Sequence, residues 1–298
     1  MKTYHILLLA IVATTTHLQA QTSNLGEGDS YAYGANFGWI ELTPHRPAAG
    51  NGVRVSDTIL SGFAWSGNTG WINFGSGTPA DNIRYSNTDG TDFGVTHDGA
   101  GNLGGLAWSA NLGWINFGWA SISNPNRPRI NVLHGAFSGY AWSSNAGWIN
   151  LDTGYLKTDT IAITDTDADG MSDTWERGKV SKINLFTATG DNDGDGISNY
   201  QEYLADTDPL SATSRLQVGS MSQVPDGDPA TNLITNLTWP SSPQRLYKIQ
   251  TSSNLTTWTD AAPGLLLPDA GTTTTRGIAH AITEKLFFRI QSVPPLAP

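Results

Sequence analysis

The sequence predicts a mostly β protein in three parts: a Trp-rich module of repeated three-stranded β-meanders, a short loop-and-helix connector, and a C-terminal β-sandwich. Three observations predict it. A tryptophan-pair motif recurs four times between residues 31 and 151. Two acidic twelve-residue loops lie between residues 165 and 202. Short β-branched runs divided by Pro, Gly, Asp and Asn fill the remainder. Sparse charge (14%) and 33 glycines also suit turns and strands better than helical bundles.

Residues 1–20 read MKTYHILLLAIVATTTHLQA, with one lysine, an apolar run from Ile6 to Ala13, then small and polar residues. This is the pattern of a secretory signal peptide, with cleavage expected after Ala20 and a secreted or cell-surface location implied. The run is too short to cross a bilayer, and no other stretch is long and apolar enough to do so. The chain has no cysteine. An exported chain of this kind depends on core packing or bound metal. A net charge of −10 argues against a nucleic-acid partner, since phosphate binding needs clustered Lys and Arg.

Residues 21–164 carry the repeats. "GFAWSGNTGWINF" (62–74), "GLAWSANLGWINF" (105–117) and "GYAWSSNAGWINL" (139–151) are near copies, and "YAYGANFGWIEL" (31–42) is a weaker one. Trp39, Trp71, Trp114 and Trp148 follow one another at 32, 43 and 34 residues, a period typical of repeat architectures. Each full unit holds a first strand ("GVRVS", "FGVTH" or "RINVL"), an "AWS" strand and a "WIN" strand. The last two are joined by a polar loop ending in Gly70, Gly113 or Gly147 (Gly38 in the weak copy), the mark of a hairpin with glycine in αL. Asn36, Asn68, Asn111 and Asn145 suit such turns through local backbone bonds.

Alternation sets Trp65 opposite Trp71 on one hairpin face with Phe63, and Ala64, Ile72 and Phe74 on the other. Both faces are apolar, so the sheet is expected to be covered on both sides or packed against neighbouring repeats. The first copy lacks a first strand, whereas the fourth is followed by a spare run, "DTIAIT" (159–164). Pairing of that run with the first hairpin closes the module into a ring without edges. An open stack with irregular caps is the alternative.

Residues 165–210 form the connector. In "DTDADGMSDTWE" (165–176), Asp165, Asp167 and Asp169 occupy positions 1, 3 and 5, with Gly170 at 6, Asp173 at 9 and Glu176 at 12. "DNDGDGISNYQE" (191–202) places Asp191, Asp193, Asp195, Gly196, Asn199 and Glu202 in the same way. A hard cation with six to eight oxygen ligands fits this spacing, so two Ca²⁺ ions are expected. Met171 and Ile197 would contribute their carbonyls at position 7, and the glycine permits the bend. Mg²⁺ fits less well because it keeps more of its waters. The loops hold nine acidic residues, most of the chain's net charge. Without metal they should repel one another. Residues before each loop do not read as an incoming helix, whereas "SDTWERGKV" and "SNYQEYLADT" read as outgoing ones. A loop with a single following helix resembles thrombospondin type 3 repeats and dockerin-type loops, which implies calcium binding at the matching residues. Asp206 and Asp208 are candidates for extra ligands or for a turn before Pro209.

In residues 211–298, strands are predicted within "RLQVGSMSQV", "NLITNLTWP", "RLYKIQTSS", "TTTTRGIAHAI" and "KLFFRIQSV". Trp239, Tyr247, "NLTTWT" and "LFFRI" carry a resemblance to fibronectin type III-like or immunoglobulin-like modules of secreted bacterial proteins.

Little in the chain points to catalysis. A thiol nucleophile is excluded, His45, His97, His134 and His280 stand apart in sequence, and no nucleophile elbow, zinc helix or phosphate loop occurs. His97 and His134 read as polar residues at turns. The repeated tryptophans read first as the core of small repeats and second as platforms for sugar rings, with Asn73, Asn116 and Asn150 placed to bond hydroxyls. The expected role is a non-enzymatic structural or adhesion component with surface proteins or glycans as partners. A carbohydrate-binding accessory protein is the alternative.

Overall fold

The computed structural model describes residues 22–44, 52–227, 232–261, 264–282 and 285–297. The signal-peptide segment and His45 lie outside them. The fold is mostly β, with two short helices among the described residues.

Each tryptophan motif forms one hairpin of a closed antiparallel barrel. The strands are β1 (Leu25–Gly34), β2 (Gly38–Glu41), β3 (Arg54–Val55), β4 (Leu60–Ser66), β5 (Gly70–Gly75), β6 (Val95–His97), β7 (Leu103–Ser109), β8 (Gly113–Asn116), β9 (Arg129–Ile130), β10 (Phe137–Ser138), β11 (Tyr140–Ser143), β12 (Gly147–Asn150) and β13 (Leu156–Thr158). Eight of them run β1-β2-β4-β5-β7-β8-β11-β12 and return to β1 through Tyr33↔Asn150 and Gly34↔Ile149. The ring therefore closes, but through the fourth hairpin itself rather than through 159–164. The spare strand is β13, one step earlier than expected. It pairs with the start of β1, as β3 pairs with β4, β6 with β7 and β9 with β10. The last strand thus supplies the first strand that the first unit lacks. Residues 159–164 instead cap one end, with Ala162 bridged to Ser56 and the Ile161 amide donating to the Leu296 carbonyl.

Inside the barrel, each hairpin sets an alanine opposite an isoleucine: Ala32 and Ile40, Ala64 and Ile72, Ala107 and Ile115, Ala141 and Ile149. Leu42, Phe74, Phe117 and Leu151 form the next layer, and all twelve side chains are buried. An eight-stranded barrel is narrow enough for side chains to fill its interior. The void they leave is about 20 Å³, space for a single water.

That geometry overturns the expectation that the tryptophans form the core or are covered. The inner face is filled by Ala, Ile, Leu and Phe, so the indoles lie outside. Trp39 is 53% exposed, Trp71 41% and Trp148 43%. They pack on one another edge to face, with ring centroids 4.9 Å apart for Trp65–Trp71 and 4.6 Å for Trp142–Trp148.

The turns join neighbours as well as strands. Asn68 Nδ2 donates to the Phe37 carbonyl of the preceding hairpin, Asn111 to Thr69, and Asn36 to Ala146 across the closure. The asparagines therefore tie one repeat to the next, rather than bonding only within their own turn.

The connector holds α1 (Asp173–Val180) and α2 (Asn199–Ala205), each following an acidic loop. Ser172 and Ser198 cap them, the latter in a reciprocal box with Gln201. Met171, Phe186 and Tyr203 form a small core between them. Beyond lie β14 (Ser220–Pro225), β15 (Asn232–Pro240), β16 (Leu246–Ser252), β17 (Thr259–Asp260), β18 (Thr273–Ala281) and β19 (Phe287–Val293). They make two three-stranded antiparallel sheets, β14-β15-β18 and β17-β16-β19. Leu237, Trp239, Tyr247, Ile249 and Ile278 form a cluster drawn from both.

Candidate metal centre

Each acidic loop curls its carboxylates inward by bonding its own backbone. In the first, Asp165 accepts from the amides of Asp169 and Gly170, and Asp169 accepts from Met171. In the second, Asp191 accepts from Gly194, Asp195 and Gly196. Gly170 and Gly196 sit at φ +91° and +88°, the bend that a side chain would resist. As a result, Asp165, Asp167 and Asp169 each bring an oxygen to within 4.8 Å of the others, as do Asp191, Asp193 and Asp195.

The first turn of each helix delivers the position-12 glutamate. Glu176 and Glu202 are 0% and 1% exposed. Both Glu176 oxygens, Oε2 of Glu202, and Oδ2 of Asp169 and Asp193 are buried without a hydrogen-bond partner. Buried carboxylate oxygens are costly unless a donor or a cation meets them. Burial, followed by the fields of Asp169 and Asp167, pushes Glu176 up to about 8. Burial and Asp193 push Glu202 up to about 7, against the pull of the Thr207 hydroxyl. A divalent cation would remove this frustration, and an all-oxygen donor set suits a hard one. The residues present fit the group.

The remaining sequence candidates are placed differently. Position 9 binds position 2: Asp173 accepts from the Thr166 amide and hydroxyl at 2.7 and 2.6 Å, and also from Arg177. Asn199 accepts from the Asn192 amide and donates to Thr187. Both staple the loop shut. Met171 and Ile197 stand at position 7, with Met171 anchoring the small core and Ile197 at the surface. Asp206 caps α2 in αL and accepts from Trp175 Nε1 and Ser242 Oγ, so it braces helices and sheets. Asp208 accepts from the Leu210 amide, as in a turn.

Two residues at the centre escaped the sequence. Asp57, from the barrel, takes the hydroxyls of Ser172 and Thr174 on Oδ2, both at 2.5 Å. Arg215 Nε lies 2.8 Å from Asp195 Oδ2. Neither belongs to a motif, and only folding brings them there.

Asn73, Asn116 and Asn150 face outward, each in register with the first member of the aromatic cross-strand pair of the following hairpin: Trp108, Trp142 and Tyr33. Their side-chain oxygens accept from the amides of Gly75, Gly118 and Asp152. Each accepts from the backbone two residues on, at the end of β5 or just past β8 and β12, which accounts for their recurrence without a ligand. His97 is not at an open turn. It is buried at the end of β6, with Nδ1 on the carbonyls of Ser56 and Asp57.

No family model, no curated protein and no solved structure matches this chain.

Proposed function

We propose that the protein is an exported, non-catalytic, calcium-binding component of a cell surface or extracellular structure, with calcium ordering the connector between the barrel and the C-terminal sheets. The observation that carries this reading is the pair of buried glutamates beside the acidic triads, Glu176 with neither carboxylate oxygen met by a donor and Glu202 with only Oε1 met, by Thr207. Asp165, Asp167 and Asp169 with Glu176 would hold one ion, and Asp191, Asp193 and Asp195 with Glu202 the other. The ions would supply charge neutralisation and rigidity. The chain's own residues then transmit it, through Asp57 to the barrel and through Asp206 to Ser242. Two three-stranded antiparallel sheets sharing one apolar cluster support reading the C-terminal part as a fibronectin type III-like module.

Titration calorimetry of the full chain tests this. Two Ca²⁺ ions should bind per chain, one lost in Glu176→Gln and the other in Glu202→Gln, with Mg²⁺ weaker. Absence of calcium uptake by the unaltered chain would sink the reading.

The outward aromatic belt favours a second reading, in which glycan is the partner. Its observation is the row Trp39, Trp71, Trp108, Trp114, Trp142 and Trp148, each 37% exposed or more. Aromatic faces stack on sugar rings. Co-sedimentation with insoluble polysaccharide should then weaken in Trp114→Ala, and equal retention of the variant rejects it.

A further inference from the structure

The two acidic loops are built alike but do not carry the same charge. In each, the position-5 aspartate uses one oxygen in the same way. Asp169 Oδ1 accepts from the Met171 amide at 2.9 Å, and Asp195 Oδ1 from the Ile197 amide at 2.7 Å. The other oxygen, Oδ2, is buried in both and accepts no hydrogen bond.

The surroundings of that second oxygen differ. Among the described residues, no basic side chain pairs with Asp169. The basic partner in the first loop is Arg177, and it engages Asp173, outside the triad. In the second loop, Arg215 Nε lies 2.8 Å from Asp195 Oδ2, a member of the triad. The Nε hydrogen is directed at the Ala212 carbonyl, also at 2.8 Å. What Arg215 gives Asp195 is therefore charge rather than a hydrogen bond.

The guanidinium is carried to the loop by a fixed segment. Before it, the Ser214 amide donates to the Ser211 carbonyl, and Ser214 Oγ accepts from the Asp208 amide. After it, Leu216 packs on the apolar cluster of the C-terminal sheets.

A cation against a buried carboxylate acts in two opposite senses. Without metal, it offsets the repulsion among Asp191, Asp193 and Asp195 and the cost of burying Asp195. Towards a dication entering the same triad, it is a like charge at close range. We propose, resting on the calcium reading above, that Arg215 is a built-in counter-ion of the second loop. It holds the metal-free loop together and lowers that loop's affinity for calcium, so the second site fills at a higher calcium concentration than its carboxylates alone would require.

Calorimetry of the full chain carrying Glu176→Gln, which leaves the second loop intact, isolates the effect. Adding Arg215→Gln should tighten calcium binding about three- to tenfold. Arg215→Met, a second neutral side chain, should do the same, and Arg215→Lys, which keeps the charge, should not. The gain should shrink in about 1 M salt, where the screening length falls to about 3 Å. In chelator, protease should cut within residues 191–202 faster in Arg215→Gln than in the unaltered chain, a readout that needs no calcium. Arg215 lies in no strand or helix, and its side chain is 40% exposed, so these substitutions leave the packed cores alone. Unchanged or weaker calcium binding in both neutral variants, an equal gain in Arg215→Lys, or equal cutting in chelator would each overturn the proposal while leaving the calcium reading in place. No calcium uptake by the unaltered chain would overturn both.

Discussion

At the scale of single residues, the chain is shaped by groups whose surroundings oppose their ordinary state. Glu176 is the clearest. With its pKa raised to about 8 in the metal-free fold, the folded loop holds a proton more tightly than the unfolded chain does. That contribution is fully present below the ordinary glutamate pKa and disappears as pH rises through about 8. A calcium ion bound there would displace the same proton. Affinity at the first loop should therefore climb with pH, by up to about tenfold per unit below pH 8. Calorimetry in buffers of different ionisation enthalpy would register the released proton, and a flat profile contradicts the assignment. His97 works in the opposite sense. Burial lowers its pKa despite the opposing pull of Asp98 and Asp57. The unfolded chain takes up a proton that the folded barrel resists, so this contribution is whole above the ordinary value of about 6.5 and drains as pH falls below it. Thermal unfolding followed between neutral and mildly acidic pH should show that decline, and His97→Gln should flatten it. Glycines supply a further residue-level test. Gly105 has φ +72°, and a Cβ there would run into the Gly94 carbonyl. Gly154 has φ +74° and open space. Gly105→Ala should cost more than Gly154→Ala, by about 1–3 kcal/mol, in denaturant melts.

At the scale of elements, the hairpin explains the spacing of the tryptophan pair. Ser66↔Gly70 closes a three-residue loop, and the next pair outward is Trp65↔Trp71. Two residues six apart in sequence thus become direct cross-strand neighbours. Edge-to-face indole pairs contribute about 0.5–1.5 kcal/mol beyond their buried area. In the hairpin of β11 and β12 the indole pair is one of four residue pairs across the strands. A double-mutant cycle on Trp142 and Trp148 should return a coupling of that size, and the coupled indoles should give an exciton band in far-ultraviolet circular dichroism. Additive single mutants and no such band would leave the belt without a structural role.

At the scale of the whole molecule, Asp57 is the hinge pin between barrel and connector. One carboxylate oxygen caps two hydroxyls in the first turn of α1, which is continuous with the first acidic loop. Gln244 Nε2 donating to the Asp98 carbonyl, and Leu296 against the barrel core, complete the attachment from the other side. Asp57→Ala should loosen the connector while leaving the barrel folded. Limited proteolysis ought to cut within residues 165–190 faster in the variant, with the near-ultraviolet signal of the belt unchanged. Equal cutting rates would show that the contact is incidental.

The sequence by itself determined the hairpins, their register, the αL glycines, the two loop-helix units and the positions of most strands. These follow from period-two alternation and from short-range turn chemistry, both written within a dozen residues. It also showed a unit missing its first strand and a strand left over. It did not show which strand paired with which, because closure is a matter of barrel geometry: eight strands meet only when the fourth hairpin reaches the first. The same geometry decided which apolar face turned inward. Parity sorts Trp65 from Ala64 but does not say which side is the interior. Alanine, isoleucine and the Leu and Phe layer fill this eight-stranded barrel, so the tryptophans remain outside. Asp57, Arg215 and His97 likewise gain their places from contacts between distant segments, where no local pattern reaches.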